Sequence, residues 1–131
     1  GTLSGNPLAV AAGLATLAKL DDDAYARLDA LTERLAAGLR EAAASAGREL
    51  RVQSITGLVT PFFTAAAEVV DYAGASACDQ AAYGAFSRAL LARGIFPPPS
   101  QFEAWFVSLA HAEAEIDATV QAAAQALEEI A

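Results

Sequence analysis

Near Leu50 the spacing of apolar residues changes from a helical period to a strand period, and this switch limits the chain more than any other feature. Before it, Leu28, Leu31, Leu35 and Leu39 recur at intervals of three and four, with Arg27, Arg34, Arg40 and Glu41 on the other face. That pattern describes an amphipathic helix closed by Gly47. After it come Leu50, Val52, Ile55, Leu58, Val59, Phe62 and Phe63, β-branched and aromatic residues arranged around Gly57. They read as two short strands or one bulged pair. Pro61 cannot donate to a ladder, so the second strand is expected to be an edge or to break there.

The flanking segments complete the pattern. Asn6 and Pro7 are an N-cap and a first-turn proline, opening a helix expected to run to Leu20, where Asp21, Asp22 and Asp23 end it and one of them caps the next helix. So short a connection predicts a packed hairpin of the first two helices. Residues 65 to 78 read as a loop of small residues anchored by Val69, Val70 and Tyr72. Ala82, Phe86, Ala89 and Leu90 mark a third helix stopping at Gly94, and three prolines then force an extended path into a strand from about Ala104 to Leu109. Ile116, Val120, Ala123, Ala124, Leu127 and Ile130 form the inward stripe of a last helix whose cap position holds Ala112. The expected fold is α+β: a small antiparallel or mixed sheet covered on one face by about four helices, in a single domain over residues 1–131.

Composition narrows the function. A net charge of -8 and seven dispersed arginines among 131 residues disfavour nucleic acid and anionic membranes as partners. Cys78 is the only cysteine and His111 the only histidine, so neither a disulfide nor a zinc site is expected, and with no signal segment a reducing, cytoplasmic setting fits best. Lys19, the one lysine, reads as a solvated ion-pair partner. His111 reads as a helix-entry residue bonding nearby backbone, Cys78 as structural, and Trp105 and Phe106 as core or interface. The chain holds no methionine and begins inside a loop-to-helix motif, which suggests a piece of a longer polypeptide.

Two stretches could carry chemistry. "GTLSGNP" places the Thr2 and Ser4 hydroxyls and free amides at a helix N-terminus, where an anion is favoured. "PPPSQFEAW" delivers Ser100, Gln101 and Glu103 on a stiff proline run, which reduces the entropy lost when a ligand is met. Read alone, the first is better described as an ordinary capped helix, and the second as an edge connection with Glu103 in water.

Taken together and in this order, "GTLSGNPLAVAAGLATL" and "GIFPPPSQFEAWFVSLAH" resemble the C-terminal part of the glutamate-1-semialdehyde 2,1-aminomutase family, within the class III pyridoxal-phosphate aminotransferases. The resemblance covers essentially the whole chain and is weaker over 50 to 80. It implies the small domain of a fold-type I enzyme acting in tetrapyrrole biosynthesis. It further implies that Gly1 and Thr2 bind the phosphate of pyridoxal or pyridoxamine phosphate held mainly by the second subunit of a homodimer, and that Glu103 lines the substrate pocket.

The Schiff-base lysine and the rest of the large cofactor domain are not in this segment. No catalytic residue is therefore assigned, and the segment alone is expected to bind no cofactor and to be inactive. An extra proline and Trp105 depart from the commoner family form, which leaves open a related aminotransferase with another amino acid substrate. A free-standing acidic helical module that binds a partner protein is the other alternative. The first reading requires an open apolar surface near residues 1 to 20 and 95 to 106. The module requires a closed and polar one.

Overall fold

The computed structural model describes residues 1–130. Its elements run α1 (Pro7–Leu17), α2 (Asp22–Ser45), β1 (Leu50–Ile55), β2 (Leu58–Phe63), α3 (Tyr72–Ser76), α4 (Gln80–Ala92), β3 (Trp105–Phe106) and α5 (Glu113–Glu129). The strands form one antiparallel sheet in the order β1-β2-β3. The α+β architecture expected from the change of period is present, with five helices among the described residues. None of them is long and apolar enough to cross a membrane.

Three helices build the main core. Alternate residues of β2, Val59, Pro61 and Phe63, are buried on the sheet face that α2 and α4 cover, while α5 packs against both helices. Leu39, Phe86, Leu90, Ala123 and Leu127 meet there with no exposed surface. Burying large aliphatic and aromatic side chains contributes roughly 1.5 to 3 kcal/mol each, and this cluster is the principal source of stability. The α2 terminus follows the expected signal: Gly47 takes φ +66°, and Arg48 N donates to Ala43 O at 2.9 Å, a left-handed stop that satisfies a terminal carbonyl. Arg48 then ties α5 to this end of the core, its guanidinium donating to the Leu127 and Ile130 carbonyls.

The opposite sheet face has its own smaller cluster of Phe62, Val69, Ala75 and Cys78, beneath α3. The Gln53 side chain donates to Val69 O at 3.0 Å and accepts from Val69 N at 2.7 Å, so one amide substitutes for a strand partner and holds the connection down. This region was expected to be only a loop. It contains one helical turn because Asp71 Oδ1 accepts from Gly74 N at 2.7 Å. Val69 anchors it as expected, but Val70 and Tyr72 are exposed.

Pro61 sits in the central strand, not at an edge, and the strand continues through it. Thr64 N donates to Glu49 O, so pairs alternate along β1 and β2 and Val52–Pro61 falls on a pair with no ladder bond. The missing N–H therefore faces β3. β3 has two residues in place of the six expected, paired as Leu58–Phe106 and Val59–Trp105: toward Ala104 the ladder stops short of Pro61, which has no N–H to give, and toward Leu109 it runs out at the β1–β2 turn, where Val107 N donates to Gly57 O at 2.8 Å.

The first two helices are not a packed hairpin. α1 ends at Leu17, earlier than Leu20, and none of its residues is buried. Its cap is as read, with Asn6 Oδ1 accepting from Leu8 N at 3.0 Å and Ala9 N at 3.2 Å. Asp21 caps α2 through Ala24 N at 2.9 Å. At α5, Ala112 offers no side-chain cap, but Glu115 reaches back to accept from Ala112 N at 2.8 Å, which satisfies one terminal donor.

Candidate functional site

Gly1 to Gly5 form an exposed turn in which Ser4 N donates to Gly1 O at 2.9 Å. Thr2 is exposed, and its hydroxyl makes no hydrogen bond among the described residues. The helix end behind it is less free than expected, because Asn6 occupies the Leu8 and Ala9 amides. An anion arriving here meets the Thr2 hydroxyl and the Thr2 and Leu3 amides, with the field of the helix behind them. All of these donors are on an exposed loop, and a Cβ added at Gly1 or Gly5 would meet nothing, so space surrounds the turn.

The second candidate is a tightly held strap. Tyr83, on α4 and almost fully buried, donates its hydroxyl to Pro98 O at 2.8 Å. The same oxygen accepts from Trp105 Nε1 at 3.1 Å. Gln101 is 2% exposed and donates Nε2 to Ala75 O at 2.7 Å, pinning the strap to α3, while its Oε1 has no partner. Phe102 stacks on Tyr72 with ring centroids 5.5 Å apart. Glu103 N donates to Ser100 O at 3.1 Å, and the Glu103 side chain is left exposed, with no ion pair.

Glu103 is near enough to act on Tyr83. Burial pushes the Tyr83 phenol above its ordinary value, the Trp105 hydrogen bond opposes this, and the Glu103 charge raises it further. Tyr83 and the buried, backbone-bonded state of Gln101 had no local signal in the sequence. Their partners lie 15 to 26 residues away.

The remaining chemical candidates settle into quiet roles. His111 Nδ1 accepts from Ser108 N at 3.0 Å, as expected of a helix-entry residue. Cys78 is buried. Lys19 is exposed but reaches no carboxylate among the described residues, so within them it is not the ion-pair partner expected. Trp105 is core and stacks on Phe86 at 6.2 Å, whereas Phe106 is 78% exposed.

Thr2 and Glu103 are not joined by any hydrogen bond between their segments. They share a surface character instead. Leu3, Leu8, Leu14 and Leu17 are 64 to 80% exposed, and Phe96, Phe102 and Phe106 are exposed as well. The segments flanking the two candidate residues are thus apolar and uncovered, as a domain face requires. The closed polar surface of a free-standing module is not found.

Comparison with known proteins agrees with this. No protein-family model matches the chain. It is 52% identical over 98% of its length to a glutamate-1-semialdehyde 2,1-aminomutase of Deinococcus radiodurans, and 48% identical over its full length to that of Thermomicrobium roseum. In both cases it spans about 30% of the relative's length. Among solved structures, an omega-transaminase from Sphaerobacter thermophilus superposes with a TM-score of 0.83 at 27% identity, covering 96% of this chain and 28% of that one. A transaminase with PLP bound gives 0.77, also at 27% identity.

Proposed function

We propose that this chain, related along its whole length to a segment of the glutamate-1-semialdehyde 2,1-aminomutases, is the small domain of a pyridoxal-phosphate enzyme that converts glutamate 1-semialdehyde to 5-aminolevulinate. The observation that carries the reading is α1: a well-capped helix with Leu8, Leu14 and Leu17 all at least 64% exposed and no buried residue. An 11-residue helix with nothing packed against it is marginal in water. Its apolar face is made to be covered by the large domain and, at the Gly1–Thr2 end, by a second subunit of a homodimer.

The domain then contributes two groups. Gly1 and Thr2 bind the cofactor phosphate, the Thr2 hydroxyl donating to a phosphate oxygen beside the Thr2 and Leu3 amides. When bound, pyridoxamine phosphate supplies the amine and the electron sink for moving an amino group between adjacent carbons. Glu103 accepts a hydrogen bond from the substrate ammonium and so fixes which carbon faces the cofactor. The Tyr83, Gln101 and Phe102 contacts hold the Glu103 strap before substrate arrives, which lowers the ordering cost of binding. The setting is the cytoplasm, and the product enters tetrapyrrole synthesis.

A second reading, another class III aminotransferase, is favoured by the transaminase neighbours and by Trp105 and the extra proline beside Glu103. One assay separates the two. The full-length polypeptide carrying this segment is supplied with pyridoxamine phosphate and glutamate 1-semialdehyde, and 5-aminolevulinate is measured. Its formation supports the aminomutase; transfer of the amine to an added oxo acid, with no 5-aminolevulinate, supports the aminotransferase.

A further inference from the structure

Pro98 and Trp105 bracket the strap that carries Glu103, and a single phenol oxygen bonds to both. Tyr83 donates to Pro98 O at 2.8 Å and accepts Trp105 Nε1 at 3.1 Å, so the two ends of the segment are closed through one atom. Tyr83 is 1% exposed and Trp105 6%. The Trp105 ring is fixed in turn by stacking on Phe86, itself fully buried. Between the two fixed ends, the Glu103 carboxylate is the acidic group presented to solvent.

We propose that Tyr83 and Trp105 act together as a brace that positions Glu103 for substrate. This rests on the reading of Glu103 as a substrate contact. The brace needs a neutral phenol, because Tyr83 must donate to Pro98 while accepting from Trp105. It also gives Trp105, the departure from the commoner family pattern, a physical role: its indole N–H donates to the Tyr83 oxygen. Neither residue touches substrate. Both are positioning residues that act through the backbone on either side of Glu103.

Removing Tyr83 leaves the Trp105 indole N–H and the Pro98 carbonyl without their partner, removing Trp105 leaves the Tyr83 oxygen without its donor, and in either case the strap gains conformations that do not present Glu103 correctly. The effect belongs in substrate affinity, not in the chemical step.

The test uses the full-length polypeptide with Tyr83→Phe, Trp105→Phe, the double variant and Glu103→Gln. KM and kcat for glutamate 1-semialdehyde and hydrogen exchange at the Phe102 and Glu103 amides are the readouts. The brace requires Tyr83→Phe and Trp105→Phe each to raise KM about tenfold with kcat within about twofold, a change of about 1.4 kcal/mol. It also requires faster exchange at both amides, and a double variant no worse than Tyr83→Phe alone, since Trp105 acts through Tyr83. A lowered melting temperature with KM and exchange unchanged overturns the brace. If Glu103→Gln leaves KM unaltered, the substrate role of Glu103 fails on its own, and the exchange rates still decide whether Tyr83 and Trp105 hold the strap.

Discussion

Gly38 on α2 faces Val120 on α5 so closely that a Cβ on Gly38 would lie 2.5 Å from Val120 Cγ2 and 2.8 Å from Cγ1. This contact sets how near the two longest helices approach, and Arg34 secures it from outside with a two-bond grip on Asp117 at 2.6 and 2.8 Å.

Gly38→Ala is therefore expected to destabilise the domain. Alanine gains about 1 kcal/mol of helix propensity over glycine, but overpacking costs about 1 to 3 kcal/mol, and the β-branched Val120 has one strongly preferred χ1 rotamer in a helix, so it yields only at a cost. A net loss of about 1 kcal/mol, read by denaturant unfolding, should be recovered by adding Val120→Ala. No recovery would mean that the contact is not the cause.

Asp117 gives stability a dependence on acid. The Arg34 hydrogen bond, reinforced by its charge, holds the Asp117 carboxyl below its ordinary value. A depressed carboxyl contributes stability that is present above the unfolded value of about 4 and is lost as pH falls through the folded one. Asp117→Asn should flatten stability against pH below about 4, and because the pair is exposed, salt should shrink the difference.

Tyr83 acts at the other end of the scale. Its phenol is raised, chiefly by burial, so the neutral form is favoured in the folded state. Its contribution is complete below the unfolded value of about 10 and is lost as pH rises through the higher folded value. Tyr83→Phe should lower stability at pH 7 by about 1 to 3 kcal/mol and lose part of the alkaline dependence. An unchanged alkaline slope would place the titration elsewhere.

The α1 face offers a test of the missing contacts. Leu14 is 64% exposed, so Leu14→Asp removes nothing buried within this domain. If a large domain covers this face in the full-length polypeptide, as proposed, the same change should cost at least about 2 kcal/mol of unfolding stability there. Equal stability of variant and parent would show the face to be open there too.

The sequence was legible where a residue's role is local. α2 and α5 could be read because one stripe of each is buried, and the caps at Asn6 and Asp21 were found because each bonds an amide within three residues. α1 was recognisable as a helix, but its partner was not, since an apolar stripe does not say which surface covers it. α3 has five residues, too few for a period, although Asp71 carried the cap signal. The short β3 follows from its register on β2, between Pro61 on one side and the turn at Gly57 on the other, which spacing alone does not reveal. Thr2 and Glu103 were singled out through family motifs, while the part played by Tyr83 and the burial of Gln101, itself named among the candidates, became visible only when the fold brought Pro98 and Ala75 to them.

The phosphate role of Thr2 is tested most directly by comparing two ligands on the full-length polypeptide and its Thr2→Val variant. Affinity is measured for pyridoxamine phosphate and for pyridoxamine, which lacks the phosphate. Loss of a charge-assisted hydrogen bond worth about 1.5 to 3 kcal/mol should weaken the phosphorylated ligand roughly ten- to a hundredfold and leave pyridoxamine unchanged. Equal affinity of parent and variant for pyridoxamine phosphate would contradict the assignment.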